Sequence, residues 1–147
     1  MKALLQRVKY ARVLVEQEVV GEIGPGLLVF LGVDKEDDEK TAEKLLDKVL
    51  SYRVFGDDQD KMNLSLKDTQ GGLLVVSQFT LSANTQKGLR PSFSSAASPQ
   101  QGEFLYNHFL KQAHQHQGKV ASGQFAANMQ VELTNDGPVT FWLEVSS

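Results

Sequence analysis

The sequence predicts an α/β fold with a largely antiparallel sheet and two main helices. Three observations carry that expectation. Val- and Leu-rich segments cluster at the start, middle and end of the chain; two stretches have helical apolar spacing; and strands and helices do not alternate strictly. With 147 residues, 41% hydrophobic and 22% charged, the chain has ordinary globular usage, and its length favours one domain over 1–147. Folding at this size buries roughly 70% of the unfolded surface, enough for a proper core.

Each element follows from local chemistry. From Ala3 to Ile23, partial alternation (Val13 and Val15 against Leu14 and Glu16, then Val19, Val20 and Ile23) reads as two or three antiparallel strands. The turn Gly24-Pro25-Gly26 is expected to close them. The unbroken run Leu27–Val33 suits a strand buried on both faces. Asp37 and Asp38 then precede Ala42, Leu45, Leu46, Val49 and Leu50, one face of a helix whose acidic start and Lys48 suit its dipole. Arg53-Val54-Phe55 reads as a short strand and Gly56–Asp60 as a turn. Gly71-Gly72 introduces another buried strand, from Leu73 to Leu81, with a polar end. Ser98-Pro99-Gln100-Gln101 is a helix start with a Ser cap, Pro at the first position and Gln101 completing a capping box, and the helix runs to about Gln115. Two final strands, Met129–Leu133 and Val139–Val145, are joined by Asn135-Asp136-Gly137-Pro138.

Composition excludes several function classes. Fifteen Lys and Arg against eighteen Asp and Glu give a net charge of −3, so this is not a basic protein that coats nucleic acid, and DNA is not an expected partner. Cysteine is absent, which removes disulfides, thiolate nucleophiles and thiolate metal sites. No apolar run reaches the roughly 18 residues of a membrane span. The early charges of Met1-Lys2-Ala3-Leu4-Leu5-Gln6-Arg7 do not suit a signal peptide, so a cytoplasmic protein without membrane contact is expected.

Standard catalytic signatures are missing. Gly21-Glu22-Ile23-Gly24-Pro25-Gly26 has the wrong glycine order for a dinucleotide fingerprint. Asp57, Asp58 and Asp60 lack the glycine and closing glutamate of a calcium loop and read as a solvated turn. His108, His114 and His116 lack metal-ligand spacing, and His108 reads as a surface or packing residue. No metal and no cofactor is expected.

Two segments stand apart. In Ser77-Gln78-Phe79-Thr80-Leu81, hydroxyls and an amide interrupt an apolar strand. They either satisfy backbone groups at a strand end or converge on a ligand and hold a developing oxyanion. In Asn135-Asp136-Gly137-Pro138-Val139-Thr140, the plain reading is a hairpin turn. The functional one has Gly137 and Pro138 presenting carbonyls at a binding surface.

Together these segments resemble the two signature motifs of the D-aminoacyl-tRNA deacylases. The likeness extends over the chain through Gln6-Arg7-Val8, Gly26-Leu27-Leu28-Val29, Lys61-Met62-Asn63-Leu64, Arg90-Pro91-Ser92-Phe93-Ser94 and Phe125–Val131, where the family often has Asp in place of Asn128. The resemblance implies a barrel-like sheet and a homodimeric editing enzyme that hydrolyses the ester of D-aminoacyl-tRNA and accepts glycyl-tRNA. It implies catalysis at Ser77, Gln78, Phe79 and Thr80, with backbone amides near Phe79 and Thr80 as the oxyanion site and the RNA 2′-hydroxyl assisting. Thr80 as nucleophile ranks second, for want of a base. Gly137 and Pro138, as a Gly–cis-Pro element, would reach the partner's pocket and reject L-residues. Phe125 and Met129 would line the adenosine pocket, and Arg7 would brace the Gly–Pro element. Lys87, Arg90 and Lys111 could grip the acceptor end. Two alternatives stay open: a paralogue that edits L-alanyl-tRNA with a trans Gly–Pro bond, and a non-catalytic tRNA- or protein-binding module on the same fold.

Overall fold

The computed structural model describes residues 1–146. Its first unit is a long bent hairpin. Strand β1 (Lys2–Val15) turns at Glu16 and Gln17, both with positive φ (50° and 70°), into β2 (Glu18–Ile23), which continues as β3 (Gly26–Gly32). The second half of β1 pairs antiparallel with β2 and its first half with β3. The chain therefore reverses at Glu16-Gln17, and Gly24-Pro25 is an in-line bend rather than the expected closing turn. Paired positive φ angles give the twist a two-residue hairpin needs, but here no Gly or Asn advertises them.

Helix α1 (Glu39–Ser51) starts at Asp38, whose carboxylate accepts from the Thr41 amide at 2.9 Å. That bond and the Thr41 hydroxyl hold the Asp38 carboxyl below its ordinary range. Two short strands follow, β4 (Phe55–Gly56) and β5 (Met62–Leu64), so only Phe55 of the expected Arg53–Phe55 strand is in sheet. The turn between them is held by the Asp57 carboxylate, which accepts from Gln59 N, Lys61 N and Asn63 Nδ2 at 2.9–3.0 Å. Helix α2 (Leu66–Thr69) and strand β6 (Gly72–Ser77) lead to a 3₁₀ turn, Phe79–Ser82. Helix α3 (Pro99–His116), β7 (Lys119–Ser122) and β8 (Gln130–Glu144) complete the order.

The main sheet runs β2-β1-β3-β6-β7, with β8 on the other edge of β1. It is mostly antiparallel, with β3–β6 and β6–β7 parallel. Gly21 of β2 lies so near the Ser122 carbonyl of β7 that a Cβ there would collide with it, which brings the sheet close to a closed barrel. Strands β3 and β6 are buried on both faces, as expected. Leu27, Val29, Leu31, Leu73 and Val75 pack toward the helices, and Leu28, Leu74 and Val76 pack into the barrel with Val8, Ala11 and Val13.

Helix α3 seals the first core with Leu105, Tyr106, Phe109 and Ala113. Phe109 is fully buried, so Phe109→Ala should destabilise the fold by about 3–5 kcal/mol through lost burial and an unfilled cavity. Urea unfolding should show a lower midpoint at unchanged slope; an unmoved midpoint would mean that the core collapses around the gap.

Two expectations at strand ends are corrected. Strand β6 stops at Ser77, because its partner β3 ends at Gly32 and the last rung is Gln78 N–H to the Leu31 carbonyl at 2.8 Å. Phe79, Thr80 and Leu81 therefore belong to a turn. The two C-terminal strands are one, since both halves of β8 run along β1 in the same direction, with Leu143 opposite Ala3 and Val131 opposite Val13. Residues 135–138 are an outward step in that strand and not a hairpin.

Candidate active site

A cleft of about 610 Å³ opens where β6 gives way to the 3₁₀ turn, within the range of small-ligand pockets. Ser77, Gln78, Phe79 and Thr80 form one wall, and Ser98, Pro99, Gly102 and Tyr106 of α3 face them. Phe125 and Met129 lie on the loop between β7 and β8 and complete the lining from that side. Phe125 packs on Tyr106 with ring centroids 5.8 Å apart and lies over Gly102, where an added Cβ would make an ordinary 3.6 Å contact with its ring. Gly123, by contrast, makes room for the Met129 sulfur, which would be 2.7 Å from an added Cβ. The six sequence-predicted residues at 77–80, 125 and 129 thus share one cavity.

The chemistry of this cleft is unusual for a hydrolase. Among the described residues, no Asp, Glu, His, Lys, Arg or Cys lines it. Its ionisable group is Tyr106, whose hydroxyl donates to the Val75 carbonyl at 2.9 Å and is pushed up to about 12 by burial. Near neutral pH it stays protonated and engaged. The Thr80 hydroxyl accepts from Gln78 Nε2 at 2.9 Å, and no base stands beside it.

The wall formed by residues 77–80 also carries backbone groups. Within the 3₁₀ turn the bonds begin with Leu81 N–H to the Gln78 carbonyl at 3.2 Å, so the Phe79 and Thr80 amides precede the first bond of the turn. Two adjacent N–H groups at the start of a turn are suited to an oxygen that gains negative charge.

Gly137, Pro138 and Arg7 form a second cluster, outside this cleft. Gly137 and Pro138 are exposed, and the peptide between them is cis. Arg7 is mostly buried beneath them. Its Nε donates to the Asp136 carbonyl at 2.9 Å and its Nη1 to the Val54 carbonyl at 2.8 Å. The contact is made to the residue before Gly137, with the Asp136 carboxylate 3.8 Å from Nε.

Other side chains fall as follows. His108 is 2.8 Å from Glu43 across the α1–α3 contact, a packing role outside the cleft. Lys87 and Arg90 lie on the exposed loop pinned by the Asn84–Ser92 bridge, next to Phe93 at the cleft. Lys111 sits about 20 Å along α3 from its capping Ser98 and does not join them. Ser98 caps α3, but Gln101 does not complete the capping box; its amide donates to the Lys35 and Asp37 carbonyls at 3.0 Å. Sequence reasoning missed Tyr106 and Phe93 as lining residues, since a Tyr on an apolar helix face and a Phe in a loop carry no signal of a cavity.

Comparison with known proteins settles the kinship. A family model described as D-Tyr-tRNA(Tyr) deacylase matches residues 4–144. The chain belongs to this deacylase family. A D-aminoacyl-tRNA deacylase of Pseudoalteromonas translucida is 62% identical over 99% of this chain and 100% of its own. One from Pseudomonas aeruginosa is 64% identical over 98% and 99%. Among solved structures, the c-Myc DNA Unwinding Element Binding Protein superposes with a TM-score of 0.96 at 42% identity over the full length of both chains. A probable eukaryotic D-amino acid tRNA deacylase superposes at 0.86 with 16% identity over 97% of each, a likeness of fold. The expected α/β, barrel-like architecture is borne out by both the sheet and these matches. Among the described residues no helix is long and apolar enough to cross a membrane, and no group of three or more His, Cys, Asp or Glu is placed to hold a metal ion.

Proposed function

We propose that this protein hydrolyses the ester of D-aminoacyl-tRNA and of glycyl-tRNA, releasing tRNA and amino acid, and spares L-aminoacyl-tRNA. One observation supports the mechanism: no base is among the residues that line the cleft, and Phe79 and Thr80 in its wall have amides that precede the first hydrogen bond of their turn. An aminoacyl ester is already activated, so positioning and oxyanion stabilisation serve it better than strong base chemistry.

The terminal adenosine lies against Phe125 and Met129, where an aromatic face suits an unstacked base. The ester carbonyl points at the Phe79 and Thr80 amides. Water attacks the carbonyl carbon, the oxyanion forms at those amides, and the C–O bond to the ribose breaks. The neighbouring 2′-hydroxyl relays the proton that no side chain of the cleft can take. Ser77 and Gln78 order the wall, Gln78 through its bond to Thr80.

The chiral filter comes from a second subunit. Gly137 and Pro138 lie outside the cleft of their own chain, exposed and braced by Arg7, as a segment that serves a partner would be. In a homodimer each pair enters the partner's cleft. Its carbonyls take the substrate's α-amino group and its rigid backbone excludes an L side chain. Rejection is the efficient route, because D- and L-residues differ only in where the side chain points. The enzyme acts in the cytoplasm with charged tRNA, and needs no cofactor.

The test is hydrolysis of D-tyrosyl-, L-tyrosyl-, glycyl- and L-alanyl-tRNA by the purified protein. Release from the D- and glycyl esters with both L-esters spared is the expected result. Hydrolysis of L-alanyl-tRNA in preference would instead favour the paralogous editing role. Tight binding without turnover would favour a binding module, and duplex DNA as competitor checks the partner in the name of the 42% identical relative.

Thr80→Ala separates two versions of the chemistry. With backbone amides in charge, kcat should stay within about 10-fold of the parent; a nucleophile's removal would cost on the order of 10⁴-fold or more.

A further inference from the structure

The outward step in β8 has a device of its own. Gln6 faces Thr140 and Val8 faces Asn135; between these pairs β1 holds only Arg7, while β8 holds Asp136, Gly137, Pro138 and Val139. An excursion of this kind leaves the ladder unpaired, and Gly137, at φ 146°, has backbone freedom that does not limit it. Restraint must come from neighbours.

The Asn135 side chain supplies it at the base. Its Oδ1 accepts from Val139 N–H at 2.7 Å. Its Nδ2 donates to the Val139 carbonyl at 3.2 Å and to Thr140 Oγ1 at 3.1 Å, and Thr140 Oγ1 is also 3.4 Å from Gln6 Nε2. One carboxamide thus pairs with both backbone groups of Val139, as the backbone of a neighbouring strand would. Arg7 holds the opposite limb through the Asp136 carbonyl.

We propose that Asn135 is a positioning residue for D/L discrimination: its carboxamide closes the base of the step and fixes where Gly137 and Pro138 stand against the partner's substrate. The role rests on the chiral-filter reading above. It requires a carboxamide, because it uses a donor and an acceptor on one short side chain. Aspartate keeps the acceptor for Val139 N–H but loses the donors and sets a carboxylate oxygen against the Val139 carbonyl. Alanine loses all three bonds.

The experiment compares the parent with Asn135→Asp and Asn135→Ala as purified full chains, with mass checked by sedimentation and kcat/KM measured for D-tyrosyl-, L-tyrosyl- and glycyl-tRNA. Glycine has no side chain to reject, so its ester reports general damage, and the L-tyrosyl to glycyl ratio reports the wall alone. That ratio should rise at least about 10-fold in both variants. A ratio unchanged while all three rates fall together would overturn the proposal, as would loss of folding or assembly in both variants, since Asn135 would then serve stability only. A parent that hydrolyses L- and D-tyrosyl-tRNA equally would instead remove the filter reading itself, and this role with it.

Discussion

Gly137→Ala is expected to lower kcat/KM for D-aminoacyl-tRNA on the order of 100-fold or more, equivalent to about 2.7 kcal/mol of transition-state stabilisation. Gly137 sits at φ 146°, a region that L side chains rarely adopt. A Cβ there would lie 2.6 Å from Val139 Cγ2 and 2.8 Å from the Val139 backbone nitrogen. The nitrogen is the atom that Asn135 holds, so the step cannot yield without breaking that bond. The third neighbour, Arg7 Nη2 at 3.3 Å, belongs to the brace itself. Gly137 and Pro138 are themselves exposed, although the neighbouring Val139 packs against the first core, so the variant should still fold, with a midpoint somewhat below the parent's. Single-turnover deacylation alongside thermal unfolding checks both halves. Full activity in the variant would show that the Gly137–Pro138 carbonyls do not meet the substrate.

The second large effect belongs to the substrate. A tRNA ending in 2′-deoxyadenosine, charged through its 3′-hydroxyl, should be deacylated on the order of 100-fold more slowly, the lower end of what acid–base help contributes. The reason is the inventory of the cleft: Ser77, Gln78, Thr80 and Ser98 carry no base, and Tyr106 is protonated and engaged with Val75. Parent and deoxy substrates compared under single-turnover conditions give the ratio directly. An unchanged rate would mean that water alone carries the proton and that positioning suffices.

Much of the fold was legible because burial wrote it into the sequence. Leu27–Val33 and the apolar start of Leu73–Leu81 read as buried strands since those residues pack into two cores at once. The α1 stripe of Ala42, Leu45, Leu46, Val49 and Leu50 is buried as its spacing required. Illegible parts were those set by backbone geometry without a marker residue. Glu16-Gln17 turns the chain with positive φ on two ordinary side chains. Gly24-Pro25 and Gly137-Pro138 look like reversals but bend or step a continuing strand, because β1 pairs on both sides of each.

The candidate site was legible in a different way. Polar residues at the end of an apolar strand announced something at Ser77–Thr80, yet the end of β3 is what turns that segment into a 3₁₀ turn and leaves the Phe79 and Thr80 amides ahead of its first bond. That Phe125 and Met129 come to face it depends on the loop between β7 and β8, which no periodicity encodes. The separation of Gly137 and Pro138 from this cleft carries no mark in composition or periodicity; the family resemblance alone implied a partner's pocket, and the geometry adds a reason of its own to invoke a second subunit.

That division of one site between two chains is the central claim, and mixed dimers test it most directly. Gly137→Ala alters the element proposed to insert, and Phe79→Pro removes one of the two amides proposed to hold the oxyanion, at the first position of the turn, where proline is tolerated. Each homodimer should be nearly inactive. Unfolded together, refolded at equal amounts and assayed with D-tyrosyl-tRNA, the pair should recover about one quarter of parental activity, because half of the dimers are mixed and each carries one intact site. A mixture as inactive as its two components would contradict the shared site.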